Sequence, residues 1–143
     1  MQTSKIIYRL ADCASDYTAC HKILKLHGRP SDWKLHFPTV IAVKDKKVLG
    51  FLSTVKCSWS VLAGPLETLE PQVNGIMILR LLEAYDVVLR TMGVTRYCFE
   101  VKKENDHWIK QINRGGGAIC FSSNDTTWYF ERFLKELPQR LAA

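Results

Sequence analysis

Apolar residues recur along the chain in two periods, two residues in some stretches and three to four in others, and the changes of period predict its elements. Ile6-Ile7-Tyr8-Arg9-Leu10 reads as a short strand. Asp12 or Ser15 caps the helix that follows, with Tyr17, Cys20, Ile23, Leu24 and His27 on one face and Gly28 as its stop. Arg29 to Asp32 continues as loop, and Trp33 to Phe37 fits neither period. Thr39 to Val43 and Val48 to Val55 are β-rich runs joined by Lys44-Asp45-Lys46-Lys47, a polar connection suited to an antiparallel hairpin.

A third run, Val61 to Leu69, carries Gly64-Pro65 inside it. Proline lacks the N–H that a sheet ladder needs and glycine marks bulges, so this strand is expected to be irregular and open on one side, with room for a ligand. Ile78, Leu81, Leu82, Tyr85, Val88, Leu89 and Met92 then keep a three-four spacing through about four turns, and Gly93 ends it. Val94 to Val101 reads as a strand that this helix joins to Leu66 to Leu69, its parallel partner in a βαβ unit. Asn105 or Asp106 starts a shorter helix with Trp108, Ile109 and Ile112, closed by Gly115-Gly116-Gly117. Ala118 to Phe121, a Ser123-Asn124-Asp125 turn and Thr127 to Phe133 make a terminal hairpin. This order predicts one domain over residues 1–143, an α/β sandwich on a mixed sheet.

Between the third run and the long helix lies Gln72-Val73-Asn74-Gly75-Ile76-Met77. A strand that gives way to a helix through a short turn leaves backbone N–H groups at the positive end of the helix dipole, which suits a phosphate or pyrophosphate. The expected ligand is a phosphorylated cofactor. A formal net charge of +6 agrees with an anionic partner. The lysines and arginines are scattered, however, and no basic stripe or Lys/Arg-Gly-Phe signature points to nucleic acid.

With 47% hydrophobic and 24% charged residues, the chain can bury a core without staples. Its five cysteines, Cys13, Cys20, Cys57, Cys98 and Cys120, are odd in number and widely spaced, which reads as structural thiols in a reducing compartment. No run of about 18 apolar residues could span a bilayer. The first residues lack the apolar segment of a secretory signal, so a soluble cytoplasmic protein is expected. His21, His27, His36 and His107 show no ligand-like spacing with cysteine or acid, and no metal site is expected.

The element order, together with Gln72-Val73-Asn74-Gly75-Ile76-Met77, resembles the GNAT-type N-acetyltransferase superfamily. Members carry Gln/Arg-x-x-Gly-x-Gly/Ala between the fourth strand and third helix, and Met77 departs from the last place. Asn105, soon after the Val94 to Val101 strand and followed by a short helix and glycines, is a second match. The likeness covers nearly the whole chain in layout and a few residues in detail. It implies a three-layer α/β/α sandwich whose mixed, mostly antiparallel sheet is splayed at the fourth and fifth strands. It also implies acetyl-CoA-dependent transfer of an acetyl group to a primary amine, of a small molecule or a protein, by direct attack. Gln72, Val73, Asn74, Gly75, Ile76 and Met77 would hold the pyrophosphate of acetyl-CoA, with the Met77 side chain turned into the core. The strand edge at Leu66, Thr68 and Leu69 would bond the pantetheine amides like an added strand, and Asn105 would touch the cofactor. Two departures stand out: Pro71 abuts Gln72, and Ile112 stands, by spacing from Asn105, where many members have a tyrosine that protonates the leaving thiolate.

Acyl transfer to an amine needs a base to take a proton as the amine attacks, and a donor to the thioester oxygen. Glu67 and Glu70 lie on or beside the splayed strand, and Glu67 is the first candidate. Tyr129 on the final strand is the candidate replacement for the missing phenol, and His36 and His107 are proton carriers by residue type. Each also has a plain structural reading: a solvated strand-edge glutamate, aromatic core packing for Trp128-Tyr129-Phe130, a helix-capping Asn105. Three functions stay open: the acetyltransferase, a catalytically silent binding or structural module of the same fold, phage-encoded or accessory, and a nucleic-acid-binding module that rests on net charge alone. Met77 and Ile112 favour the second. An exposed Thr127 to Phe133 strand would pair across a homodimer.

Overall fold

The structure is a computed structural model that describes residues 5–30, 34–57, 61–70, 75–105, 109–110, 112 and 118–134. Its elements run β1 (Ile7–Leu10), α1 (Ala14–Leu26), β2 (His36–Lys44), β3 (Lys47–Cys57), β4 (Val61–Thr68), α2 (Ile76–Thr91), β5 (Arg96–Lys102), a 3-10 turn (Lys103–Asn105), β6 (Ala118–Ser123) and β7 (Thr127–Phe133). The strands form one sheet in the order β1-β2-β3-β4-β5-β7-β6. Among the described residues only β4 and β5 pair in parallel.

Alternation along β2 and β3 decides the layers, because successive side chains of a strand face opposite sides. Ile41 and Phe51 pack with Cys20, Ile23 and Leu24 of α1. Val40, Ala42 and Leu52 pack on the opposite face with Met77, Ile78, Leu81, Leu82, Tyr85 and Leu89 of α2. The result is three layers, helix, sheet and helix. Burial of Met77, 6% exposed, agrees with the orientation expected of it.

Polar groups drawn into the α2 layer are paired. Tyr85 and Thr54 share a hydroxyl contact at 2.6 Å, and Thr54 donates to the Pro38 carbonyl at 2.7 Å. Thr54 Oγ1 has one proton and it goes to Pro38, so Tyr85 is the donor to Thr54.

The helix ends differ from their sequence reading at one terminus and match it at the other. α1 starts after Cys13 with no side-chain cap, not on Asp12 or Ser15. The polar group at this end is Asp16, whose carboxylate accepts the Asp12 amide at 3.0 Å and the Arg9 guanidinium at 2.9 and 3.1 Å. At the C-terminus the Gly28 amide donates to the Lys25 carbonyl at 3.1 Å and the Arg29 amide to the Leu24 carbonyl at 2.9 Å. These are the two bonds of a Schellman cap, and they require the left-handed backbone that Gly28 supplies at φ 72°.

The β2–β3 connection is tighter than expected. Lys44 pairs with Lys47, leaving a two-residue turn in which Asp45 and Lys46 both take positive φ, 51° and 66°, as a type I′ turn demands. In the other hairpin the Asn124 side chain accepts the Thr126 and Thr127 amides, both at 2.9 Å, so that one short polar residue organises the turn.

Two pairing expectations need correction. β4 meets β5 at Leu62 and Cys98 and not along Leu66 to Leu69. Gly64 at φ 136° and register breaks against β3 around Thr54 deform β4 just past that bridge, and downstream residues separate from β5. The second concerns Thr127 to Phe133, which is no sheet edge. β7 lies between β5 and β6 with partners on both sides, because the hairpin folds its first strand outward. The exposed edge on that side is β6.

Candidate active site

Where β4 and β5 part lies a cavity of about 220 Å³, lined by residues of both strands and of α2. Its α2 side is apolar, with Leu52, Ile78, Leu82, Phe99 and Ile112 in the wall. The charged residues on its lining are Arg29, Glu67, Glu100 and Lys102. One end therefore suits an apolar or amide-bearing arm and the other a polar reaction. The opening follows from the bulged Gly64-Pro65 of β4, as the sequence predicts.

Glu67 stands at this junction with its side chain 13% exposed. Arg29 Nη2 donates to Glu67 Oε1 at 3.1 Å. His27 Nδ1 lies 3.7 Å from Glu67 Oε2, while His27 Nε2 is 2.7 Å from the Thr68 carbonyl. The Schellman cap at Gly28 delivers both partners, since it reverses the chain immediately after His27 and aims Arg29 at β4. The carboxylate keeps lone pairs for a third group, as any general base must.

Strand geometry separates the three residues expected to meet a cofactor on β4. The Leu69 amide donates to the Leu49 carbonyl at 2.7 Å, so Leu69 turns its backbone toward β3. By alternation Leu66 and Thr68 turn theirs toward the opening, where His27 already meets the Thr68 carbonyl. Gly75 precedes α2 in a left-handed conformation, Ile76 is exposed and Ile78 reaches the cavity wall. Gln72, Val73 and Asn74 lie outside the described residues. Asn105 ends the 3-10 turn that follows β5.

The other candidates are spread out. Tyr129 sits on β7 opposite Glu100 in register and accepts a bond from the Asn124 side chain at 3.1 Å, but it does not line the cavity. His36 starts β2, is exposed and is not among the lining residues, and His107 lies outside the described residues. Sequence reasoning placed His27 on the helix face and Arg29 in a loop, and missed that both converge on Glu67. The available signal was Gly28, which marks where the chain turns. Asp12, Cys13 and Asp16 bring three potential metal ligands together, but both oxygens of Asp16 are held by Arg9.

Solved structures share this architecture. Aminoglycoside 6'-N-acetyltransferase from Enterococcus faecium superimposes with a TM-score of 0.75 at 11% identity, over 92% of this chain and 99% of that one. The fold is that of the GNAT-type N-acetyltransferases. Ribosomal-protein-S18-alanine N-acetyltransferase from Escherichia coli matches 96% of this chain and 100% of its own at 14% identity, TM-score 0.66. PaiA N-acetyltransferase from Thermoplasma acidophilum, solved in complex with coenzyme A, matches 66% of this chain and 59% of its own at 14% identity, TM-score 0.57. No protein-family model matches the sequence, and no match was found among curated proteins. Among the described residues, no helix of this GNAT fold is long and apolar enough to cross a membrane.

Proposed function

We propose that the chain is an acetyl-CoA-dependent N-acetyltransferase, and the observation that carries this is the slot between β4 and β5 with Glu67 at its charged end. The pantetheine arm runs through the apolar part of the slot and bonds the Leu66 backbone as an added strand would. The pyrophosphate rests at the start of α2, on the amides of Gln72 through Met77. In the reaction the amine nitrogen bonds to the thioester carbon, the carbon–sulfur bond breaks, and Glu67 takes the proton that the nitrogen gives up. Water entering the slot protonates the departing thiolate, because Tyr129 stands outside the cavity lining. The fold and the coenzyme A complex of a similar protein support this reading.

The alternative, a silent binding module, is favoured by Ile112. It lies in the cavity wall at 3% exposure and offers no proton. Calorimetric titration with CoA and acetyl-CoA, followed by thiol release on adding amines, separates the two. Binding with turnover is expected of the enzyme, and binding without turnover against a broad amine panel would establish the module. Absence of binding would remove both.

A further inference from the structure

We propose that His27 is a positioning residue that takes the proton from Glu67, so that the base is a Glu67–His27 pair; this rests on the acyl-transfer reading above. The Thr68 carbonyl can only accept, so His27 Nε2 at 2.7 Å from it carries a hydrogen. In the neutral ring that tautomer turns the Nδ1 lone pair toward the Glu67 carboxylate. Two lone pairs form no bond, and the observed separation of 3.7 Å is longer than a hydrogen bond. One proton placed between them converts the contact into a charge-assisted bond.

The proton follows a balanced route. It leaves the attacking nitrogen for Glu67, passes from Glu67 Oε2 to His27 Nδ1, and departs to water from a ring whose side chain is 36% exposed. Glu67 is left ionised and Arg29 still holds its other oxygen. Among the described residues, the ionisable groups joined to this contact are Glu67 from β4 and Arg29 from the turn after α1.

The test measures kcat/KM against pH for the wild type, His27→Gln, His27→Ala and Glu67→Gln, with CoA affinity measured separately by calorimetry. His27→Gln is expected to lower kcat about tenfold or more, to move the acid limb to lower pH and to leave CoA affinity unchanged. Added imidazole should restore His27→Ala but not Glu67→Gln. A purely structural His27 would give neither the shifted limb nor the rescue, and that result overturns the relay while the acyltransferase stands. A wild-type chain that neither binds CoA nor releases thiol overturns the acyl-transfer reading and the relay with it.

Discussion

Two carboxylate–guanidinium clusters occupy this fold, and burial separates their roles. Asp86 on α2 accepts the Tyr97 hydroxyl at 2.7 Å and Arg132 through Nε and Nη2 at 2.8 to 3.1 Å. The Asp86 and Arg132 side chains are 6% and 4% exposed. The Tyr97 phenol is pushed well above its ordinary value by burial and by Asp86, so it stays protonated and donates. Both Asp86 oxygens are in use and none of the three residues is in the lining of the cavity at Glu67, so the cluster pins α2 to β5 and β7. Glu67 has the same kind of partner but only one close bond to it, a half-exposed histidine beside it and a cavity in front. Saturated, such a cluster is a fastening; unsaturated at an opening, it is available for chemistry.

The largest effect expected from breaking this contrast comes at the sealed cluster. Asp86→Ala removes the carboxylate that the buried Arg132 and Tyr97 side chains share, a loss of about 3–5 kcal/mol. Urea denaturation followed by circular dichroism measures it. A loss below about 1 kcal/mol would mean that this cluster behaves like a surface pair and that the contrast fails.

Glu67→Gln should show the opposite profile. Its partners are about a third exposed, so stability changes by about 1 kcal/mol or less. Turnover should fall about 10²- to 10⁴-fold, read as thiol release at saturating acetyl-CoA. Equal losses of stability at Glu67 and Asp86 would place Glu67 among the fastenings.

How much of this was legible beforehand depends on the range of the interaction. The three-four spacing from Ile78 fixed α2, and alternation with turn chemistry fixed β2, β3 and the terminal hairpin. Gly64-Pro65 announced the opening in β4, because backbone chemistry alone limits how such a pair enters a sheet. What escaped needs distance. Arg29 and Glu67 are 38 residues apart, and nothing local says that the turn after α1 faces β4. The same holds at the start of α1, where Arg9 recruits Asp16 seven residues away and the expected caps go unused. The outward position of β6 depends on which strand β5 selects, a long-range pairing across which Phe99 and Phe130 stack at 5.3 Å.

Gly28→Ala tests whether the cap places the open cluster. A Cβ there meets nothing within 4 Å, so the cost is the left-handed backbone alone, about 1–2 kcal/mol. Turnover should fall beyond what the residual folded fraction explains, with the KM for the thioester unchanged, because His27 and Arg29 lose their fixed approach to Glu67. Unchanged turnover in the folded variant would show that the cluster forms without the cap.

The smallest effect belongs to an intermediate case, Arg9–Asp16, in which the acid is buried and the base 39% exposed. The Arg9 guanidinium holds the Asp16 carboxyl far below the usual carboxylate range. In the folded chain Asp16 thus takes its proton only in strong acid, whereas in the unfolded chain it takes it near the ordinary value of about 4. The unfolded state binds more protons as the pH falls, so the stabilisation is complete above the unfolded value and drains away as pH drops through the folded one. Asp16→Asn should therefore be about 1 kcal/mol less stable than the wild type at neutral pH, discounted for the exposure of Arg9, and the two melting curves should converge as the pH is lowered through 4 toward 2. A gap that stays constant across that range would assign Asp16 a packing role and leave burial of the acid, without its ion pair, as the property that matters.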